Sequence, residues 1–208
     1  KYGADSITIH LREDRRHIND NDLKLISSLK SMPLNLEMAS NKDMLNIALK
    51  FKPKFVCIVP EKRNEVTTEG GLNLKKNLSK LKLIISTLNK NKIRTSLFIN
   101  PKKTDVKLSK LLNTRCIELH TGEISNQIKK NKKYSNHLKI IKDCARLAKS
   151  LGLEVHAGHG MDYKTAKILS KIKEIEEFNI GHFIIGESIF FGLSKIIKKF
   201  KKIINKRI

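Results

Sequence analysis

Histidines and glutamates recur at the ends of short apolar runs along this 208-residue chain. Three of these endings are Ile-Thr-Ile-His at 7–10, Asn-Leu-Glu at 35–37 and Ala-Gly-His-Gly at 157–160. Imidazole and carboxyl groups are common proton-transfer groups in enzymes. In a parallel β/α barrel the active-site residues lie at the carboxyl ends of the strands. This series of endings therefore predicts an enzyme with a barrel active site.

The first two endings carry candidate proton-transfer and anion-binding groups. His10 opens a charged segment that includes Arg12 and His17, which predicts a loop that binds anions. Glu37 lies between two apolar residues, which would raise the pKa of its carboxyl group towards neutrality. A solvated charged loop and a hydrogen-bonded structural carboxylate are the alternative interpretations.

Later endings add further candidates. Glu118 and His120 alternate along one run, so both should point into the barrel lumen. His159 lies between two glycines, which permit close backbone approach and leave amides free for an anion. Barrels commonly bind phosphate with the loops after their last two strands, which here correspond to 158–160 and 181–188.

Seven apolar runs alternate with seven segments of helical periodicity. The predicted strands are 6–11, 34–38, 55–59, 93–99, 115–119, 153–157 and 178–185. The predicted helices are 20–31, 41–51, 73–91, 104–113, 125–151, 162–175 and 188–205. The segment 125–151 has room for an extra short helix, and Asp162 and Ser188 are predicted N-caps. The alternation predicts βαβ units and a parallel sheet that is covered on both faces.

A closed barrel of this type needs eight strands, and the pattern contains seven. We therefore expect an α/β fold, a single TIM-type (β/α)8 barrel domain over residues 1–208 with extra helices, from which the first βα unit is absent. Such a unit contains roughly 30 residues. Without it, two strands would have unpaired edges, which natural proteins avoid.

The formal net charge of +23 raises the possibility of a nucleic-acid partner. Lysine supplies most of this charge, and it is spread over every predicted helix without interleaved aromatic residues. We therefore expect no nucleic acid as a partner, although a basic field would attract small phosphorylated substrates. No apolar stretch approaches the ~20 residues that span a bilayer, so no membrane partner is expected either.

The three cysteines are widely spaced among apolar residues, at Cys57, Cys116 and Cys144. This pattern predicts buried free thiols in a reducing compartment, and hence a cytoplasmic location. It does not favour a disulfide framework or a metal site. The segment 195–207 is predicted to be a final barrel helix, with a basic membrane-surface helix as the alternative.

With these motifs in order, the sequence closely resembles the pyridoxine 5′-phosphate synthase family of the deoxyxylulose-dependent vitamin B6 pathway. The resemblance runs from residue 3 to about 193. It is carried by the motifs at 3–17, 35–38, 59–63, 65–71, 118–122, 157–160 and 179–182.

The resemblance implies a β/α barrel with additional helices, assembled as a homo-octamer. It implies a transferase that joins 1-deoxy-D-xylulose 5-phosphate to 3-amino-2-oxopropyl phosphate, giving pyridoxine 5′-phosphate, phosphate and water. No cofactor and no metal are implied. In that family, the first strand and its surroundings supply an Asn, an Asp-His pair and an Arg to the substrates. These residues have no counterpart in this sequence.

The resemblance also assigns roles to individual residues. The implied proton acceptors are His10 and Glu37, and the implied proton donor is His159. The implied contacts to the deoxyxylulose phosphate are Arg12, His17 and Thr67. The implied contacts to the aminoketone phosphate are Gly160, Gly181 and His182. Glu118 and His120 are possible supporting residues.

Two other classes of function compete with this one. The first is another phosphate-binding barrel enzyme, such as an aldolase or isomerase. An aldolase that forms a Schiff base needs a lysine facing the lumen, and no predicted strand interior offers one. The second is a non-catalytic remnant or a basic RNA-binding protein, which salt-dependent RNA binding without turnover would indicate.

Overall fold

The protein is described by a computed structural model that covers residues 2–29, 31–61 and 70–205. Seven strands and nine α-helices alternate in these segments. The strands are β1 (Ile7–His10), β2 (Leu34–Ala39), β3 (Phe55–Val59), β4 (Arg94–Ile99), β5 (Cys116–His120), β6 (Glu154–Gly158) and β7 (Ile175–Asn179). The helices are α1 (Asp20–Ser27), α2 (Lys42–Phe51), α3 (Leu78–Lys90), α4 (Lys103–Leu111), α5 (Gly122–Lys129), α6 (Ser135–Ser150), α7 (Tyr163–Leu169), α8 (His182–Phe191) and α9 (Leu193–Asn205).

The seven strands form one sheet in the order β1 to β7, and every neighbouring pair is parallel. The predicted parallel α/β architecture is therefore confirmed. The register places His10 beside Glu37 and Glu118 beside His156. Because the strands are parallel and adjacent, their carboxyl ends meet at one edge of the sheet.

Alternation along the strands separates an apolar face from a polar face. Leu36, Ile58 and Leu97 are fully buried in the main apolar core, which includes side chains from the helices that follow the strands. Burying one such side chain contributes about 2–3 kcal/mol. Asn35 in β2 and Glu118 in β5 point to the opposite, concave face of the sheet, which is the lumen.

The sheet curls far enough for its first and last strands to meet through side chains. The hydroxyl of Thr8 in β1 donates a 3.2 Å hydrogen bond to Oδ1 of Asn179 in β7. Nδ2 of Asn35 in turn donates to Oγ1 of Thr8 at 3.2 Å. The backbones of β1 and β7 do not pair, so the sheet is barrel-like but the described strands do not close it.

An ionic network fills the lumen near the amino ends of the strands. Arg94 contacts Glu154 at 2.7 Å and Glu177 at 3.1 Å. The ring of His156 lies between the same two glutamates, at 2.9 Å from Glu154 and 3.5 Å from Glu177. The Arg94 guanidinium also stacks 3.8 Å from the ring centroid of Phe55. Charge pairing therefore satisfies these groups inside the barrel.

The prediction of a strand over 178–185 was wrong. The last strand is β7, it ends at Asn179, and helix α8 begins at His182. The apolar residues of helix α8 are spread over all of its sides, so its sequence has no helical period to distinguish it from a buried strand. Ser188 is consequently not an N-cap but lies within α8, where its hydroxyl donates to the carbonyl of Ile184.

Other local predictions were correct. The side chain of Asp162 caps α7 by accepting a 2.7 Å hydrogen bond from the amide of Thr165. The segment 125–151 holds a short helix, α5, and a longer one, α6. All three cysteines are buried and free. Within the described ranges, no helix combines the length and apolar character that crossing a membrane requires.

Candidate active site

The carboxyl edge of the sheet brings His10 and Glu37 together. His10 is the last residue of β1 and lies beside Glu37 of β2 in the register, and Nδ1 of His10 lies 3.9 Å from Oε2 of Glu37. Burial lowers the pKa of His10 to about 4, and the positive charge of Arg12 acts in the same direction. Burial raises the pKa of Glu37 to about 7. At neutral pH the imidazole is therefore uncharged, and the carboxyl group can hold or release a proton.

Glu118 lies deeper in the lumen and is 2 % exposed. Its Oε2 accepts a 2.8 Å hydrogen bond from Asn179 and faces the Cys57 thiol at 3.7 Å. Burial raises the pKa of Glu118 well above its usual range, and the charges of Glu37 and Glu177 add to this effect. The predicted inward orientation of Glu118 is confirmed, and burial disfavours the charged form of its carboxyl group.

Gly158 makes room for Glu118. A Cβ atom at Gly158 would lie 1.8 Å from Oε1 of Glu118, which no packing allows. This glycine ends β6 directly before His159, so it serves the close approach that its sequence context predicted. The carboxyl group of Glu118 thus fits against the β6 backbone.

His120 and His159 form a ring cluster beside these carboxyl groups. Their ring centroids are 5.0 Å apart, and Phe98 lies at 5.4 Å from His120 and 6.4 Å from His159. Burial lowers the pKa of His120 to about 4, and the neighbouring His159 lowers it further. His120 is therefore a neutral ring that packs against His159.

The loop after β5 holds the backbone of His159 in an unusual conformation. His159 has a φ of +75°, in the left-handed region that non-glycine residues seldom adopt. The hydroxyl of Thr121 contacts the carbonyl oxygens of Gly158 at 2.8 Å and His159 at 2.7 Å. The next residue is Gly122, where a Cβ would lie 2.7 Å from Nε2 of His120. The two loops are therefore interlocked around His159.

The charged segment after β1 is ordered by ion pairs. Arg12 is 3 % exposed, and its Nε lies 3.4 Å from Asp14. Hydrogen bonding from Arg16 is the main cause that lowers the pKa of Asp14 to about 2. His17 is exposed further along the same segment. The structure thus places the two predicted anion ligands, Arg12 and His17, on the segment that begins at His10.

Two other predicted ligands lie after β7, a third lies after β6, and the last is outside the described residues. Gly181 and His182 are exposed at the amino end of α8, close in sequence to the carboxyl end of β7. Gly160 directly follows His159, with a φ of +78°. Thr67 lies outside the described residues. The structure therefore places five of the six predicted substrate ligands on segments that follow the carboxyl ends of strands, and it does not describe the sixth.

One group in the described part of the chain has a metal-ligand composition. Ligand atoms of Cys116, Glu154 and His156 lie within 4.8 Å of one another. Glu154 is already paired with Arg94, and burial raises the pKa of Cys116 to about 12, so its thiol stays protonated. A thiolate is the form that binds metal, so this group does not fit a metal ion.

The comparisons with known proteins agree on one family. The model of the family described as "Pyridoxal phosphate biosynthesis protein PdxJ" matches residues 1–206. The chain belongs to the PdxJ family. It is 63 % identical over 206 residues to the pyridoxine 5′-phosphate synthase of Pelagibacter ubique, covering 99 % of this chain and 86 % of that relative.

More distant PdxJ members match over almost the same extent. The pyridoxine 5′-phosphate synthase of Zymomonas mobilis is 50 % identical over 199 residues, covering 96 % of this chain and 77 % of that protein. The protein of the same name from Aliarcobacter butzleri is 46 % identical, covering 97 % of this chain and 86 % of that protein. The family resemblance inferred from the motifs is therefore confirmed.

Solved structures resemble this PdxJ chain in fold. The crystal structure of a 4-hydroxy-2-oxoglutarate aldolase from TTHB1 matches with a TM-score of 0.64 at 10 % identity, covering 96 % of this chain and 81 % of that one. The BexX/CysO complex of Amycolatopsis orientalis matches with a TM-score of 0.66 at 9 % identity, covering 98 % of this chain and 79 % of the matched one. At these identities the likeness concerns the fold alone.

Sequence reasoning assigned no role to several residues that shape the site. Asn179 belongs to a quoted motif, but its hydrogen bond to Glu118 depends on the curl of the sheet. Phe98 and Thr121 contact His159 only through tertiary packing. Glu61 also belongs to a quoted motif, and its buried carboxyl group faces His10. The alternation of inward positions was the one signal that could have identified some of them.

Proposed function

We propose that this chain catalyses the condensation of 1-deoxy-D-xylulose 5-phosphate with 3-amino-2-oxopropyl phosphate to pyridoxine 5′-phosphate, phosphate and water, as a transferase. The observation that carries this proposal is the His10–Glu37 pair at the carboxyl edge, where burial lowers the pKa of His10 to about 4 and raises the pKa of Glu37 to about 7. Membership of the PdxJ family supports it, because the matched relatives are named pyridoxine 5′-phosphate synthase.

The residues suit a reaction made of repeated proton transfers. Imine formation, elimination and ring closure need groups that accept and return protons near neutral pH. His10 is neutral and can accept a proton, whereas Glu37, with a pKa of about 7, can accept or donate one. We assign proton donation to His159, with Glu118 and His120 as supporting groups whose charged forms burial disfavours.

Two phosphate groups need two cationic or amide-rich sites. We assign the phosphate of the deoxyxylulose substrate to Arg12, His17 and Thr67. The aminoketone phosphate is assigned to Gly160, Gly181 and His182, where the amino end of α8 offers unpaired backbone amides. Holding both substrates at one edge of the sheet would make the condensation effectively intramolecular. No cofactor and no metal enter this scheme.

We also propose that an eighth strand closes the barrel between β1 and β7. The Thr8–Asn179 hydrogen bond already joins these strands through side chains, while their backbone edges remain unpaired by each other. Unpaired parallel strands are unstable edges, and closure removes them. An experimental structure of the enzyme in which β1 and β7 pair directly, or remain unpaired by any strand, would contradict this proposal.

Self-association into a homo-octamer is the proposed assembly. Helix α8 exposes a cluster of large apolar side chains, namely Ile185, Ile189, Phe190 and Phe191. Such a cluster favours a protein contact. Ile189→Lys should shift the sedimentation coefficient towards smaller species, and an unchanged assembly would remove α8 from the interface. The three buried thiols suit the reducing cytoplasm.

The decisive experiment supplies both phosphorylated substrates to the purified enzyme with the proposed eighth strand included, and measures pyridoxine 5′-phosphate and released phosphate together. Equal amounts of the two products are expected, because one phosphate leaves for each ring that forms. His10→Ala should retain the fold, as judged by circular dichroism, and lose product formation. Product formation at the parental rate by His10→Ala would exclude His10 as a proton acceptor. A parent chain that binds both substrates but makes no product would contradict the proposed function itself.

A further inference from the structure

Glu61 belongs to the motif at 59–63 and lies two residues after the end of β3, and its carboxyl group is buried, with 3 % of the side chain exposed. Its Oε1 accepts a 2.8 Å hydrogen bond from the backbone N–H of Glu13 and lies 3.9 Å from Nε of Arg12. Its Oε2 lies 3.5 Å from Nε2 of His10. One oxygen is therefore anchored to the segment after β1, and the other is presented to the His10 ring.

The two facing atoms are both buried. Neither Oε2 of Glu61 nor Nε2 of His10 has a hydrogen-bond partner among the residues that the structure describes. A buried polar atom left unpaired costs about 1–3 kcal/mol. A small rotation of the ring would shorten the 3.5 Å separation to the ~2.8 Å of a charge-assisted hydrogen bond and satisfy both atoms. The arrangement therefore favours a proton between them.

We propose that Glu61 is a positioning residue that binds the Nε2–H of His10 and so fixes the tautomer whose Nδ1 lone pair faces Glu37. The inference rests on the proposed function, since it concerns the same proton acceptor. It follows from the geometry because the hydrogen bond at one ring nitrogen decides which nitrogen is the base. Nδ1 is the nitrogen on the Glu37 side, 3.9 Å from its carboxyl group.

The charge of Glu61 also serves the protonated ring. When Nδ1 takes a proton from the substrate, Nε2 keeps its own proton and the ring becomes a cation. The Glu61 carboxylate, already next to Nε2, offsets that charge without moving. Five charged or titratable groups face the ring, and only the acidic ones favour its cation. These groups are Arg12, Asp14, His17, Glu37 and Glu61.

Glu61→Gln provides a sharp test because the anchor decides how the amide turns. The amide oxygen should keep the hydrogen bond from the Glu13 N–H, so the NH₂ group would face Nε2 of His10. Nε2 would then become an acceptor, and the proton would move to Nδ1. The variant should lose about 10²-fold or more in kcat with KM within a few-fold of the parent, as a wrong tautomer does in other enzymes. Glu61→Asp should recover part of the rate, and Glu176→Gln, at the amino end of β7, is the matched control and should keep all of it.

Nitrogen NMR of the His10 ring at neutral pH reads the tautomer without turnover. We expect the Nε2–H form in the parent and in Glu176→Gln, and the Nδ1–H form in Glu61→Gln. An unchanged tautomer in Glu61→Gln would overturn the inference, even if activity fell. A parental kcat in Glu61→Gln would overturn it as well. If the parent makes no product, the proposed function fails, and the spectra still decide the role of Glu61.

Discussion

The two ends of the barrel lumen are both lined by ionisable side chains, but they pair their charges differently. Near the amino ends of the strands, Arg94 lies within 3.1 Å of two glutamates, Glu154 and Glu177. The ring of His156 contacts the same two carboxylates. Each acid there has a basic partner, and hydrogen bonding from His156 is the main cause that lowers the pKa of Glu154 to about 2.

The carboxyl ends of the strands show the opposite arrangement. Burial raises the pKa of Glu37 to about 7, and it also raises the pKa of Glu118 well above its usual range. The nearest ring, His10, has its pKa lowered to about 4, so it is not a cation that could pair with Glu37 at neutral pH. Arg94, Glu154, His156 and Glu177 thus form an ionic cluster at one end, which we call the ionic plug. The same residue types at the other end are a set of histidines and glutamates whose charged forms burial disfavours. Unpaired burial, rather than residue type, distinguishes groups that can move protons.

The largest effect expected from this comparison is on Glu37. Glu37→Gln keeps the shape of the side chain but removes the proposed proton acceptor, so kcat should fall by about 10²–10⁴-fold. The melting temperature should stay within a few degrees of the parent. In the parent, kcat/KM should rise with pH through about 7 as Glu37 ionises, and the variant should lack this rise.

The pH dependence of stability offers a control for the same variant. Because folding raises the pKa of Glu37, its contribution to stability is complete below the unfolded pKa of about 4.5. That contribution is lost as the pH rises through about 7. Glu37→Gln should therefore gain stability relative to the parent as the pH rises from 5 to 8, as measured by urea unfolding. If the difference in stability between the variant and the parent does not change over that range, burial does not raise the pKa of Glu37.

A substitution in the ionic plug should lower the stability of the protein and leave its activity nearly unchanged. Arg94→Met removes the cation shared by Glu154 and Glu177 and leaves two carboxylates facing each other. Removing one partner of a buried ion pair costs about 3–5 kcal/mol, and the partial exposure of Arg94 should reduce this to about 2–3 kcal/mol. Urea unfolding measures the loss, while kcat per folded molecule should stay within a few-fold of the parent. A large fall in kcat with unchanged stability would mean that the plug takes part in the chemistry.

The sequence predicted the strand-end groups because their signal is local. His10 and Glu37 end or nearly end short apolar runs, and parallel neighbours bring such positions together in any β/α sheet. The same reasoning placed Glu118 in the lumen. It also predicted seven strands in the observed order along the chain. The last strand was predicted at 178–185 and not at its observed position, because helix α8 lacks a helical hydrophobic period.

The plug and Glu61 could not be predicted because their signal is not local. Arg94 and Glu154 begin strands, where a charged residue more often faces solvent than a lumen. Their pairing depends on the curl that brings β4, β6 and β7 around one axis. The contact of Glu61 with His10 joins residues 51 positions apart, and no spacing rule relates them. The sequence therefore predicted which residues lie at the carboxyl edge of the sheet, but not which of them contact one another across the lumen.

The smallest expected effect concerns the backbone of His159 and tests whether a proton donor also needs a fixed conformation. The Thr121 hydroxyl contacts the carbonyl oxygens of Gly158 and His159 at 2.8 and 2.7 Å, and the φ of His159 is +75°. Such a conformation costs roughly 1–3 kcal/mol and persists only where neighbours hold it.

Thr121→Val preserves the shape of the side chain but removes the donor. We expect kcat to fall about 10-fold, equivalent to ~1.4 kcal/mol, with little change in KM. Thr121→Ser keeps the hydroxyl and should restore the rate. A melting temperature that falls in Thr121→Val while kcat per folded molecule stays at the parental value would show that the hydroxyl only stabilises the loop.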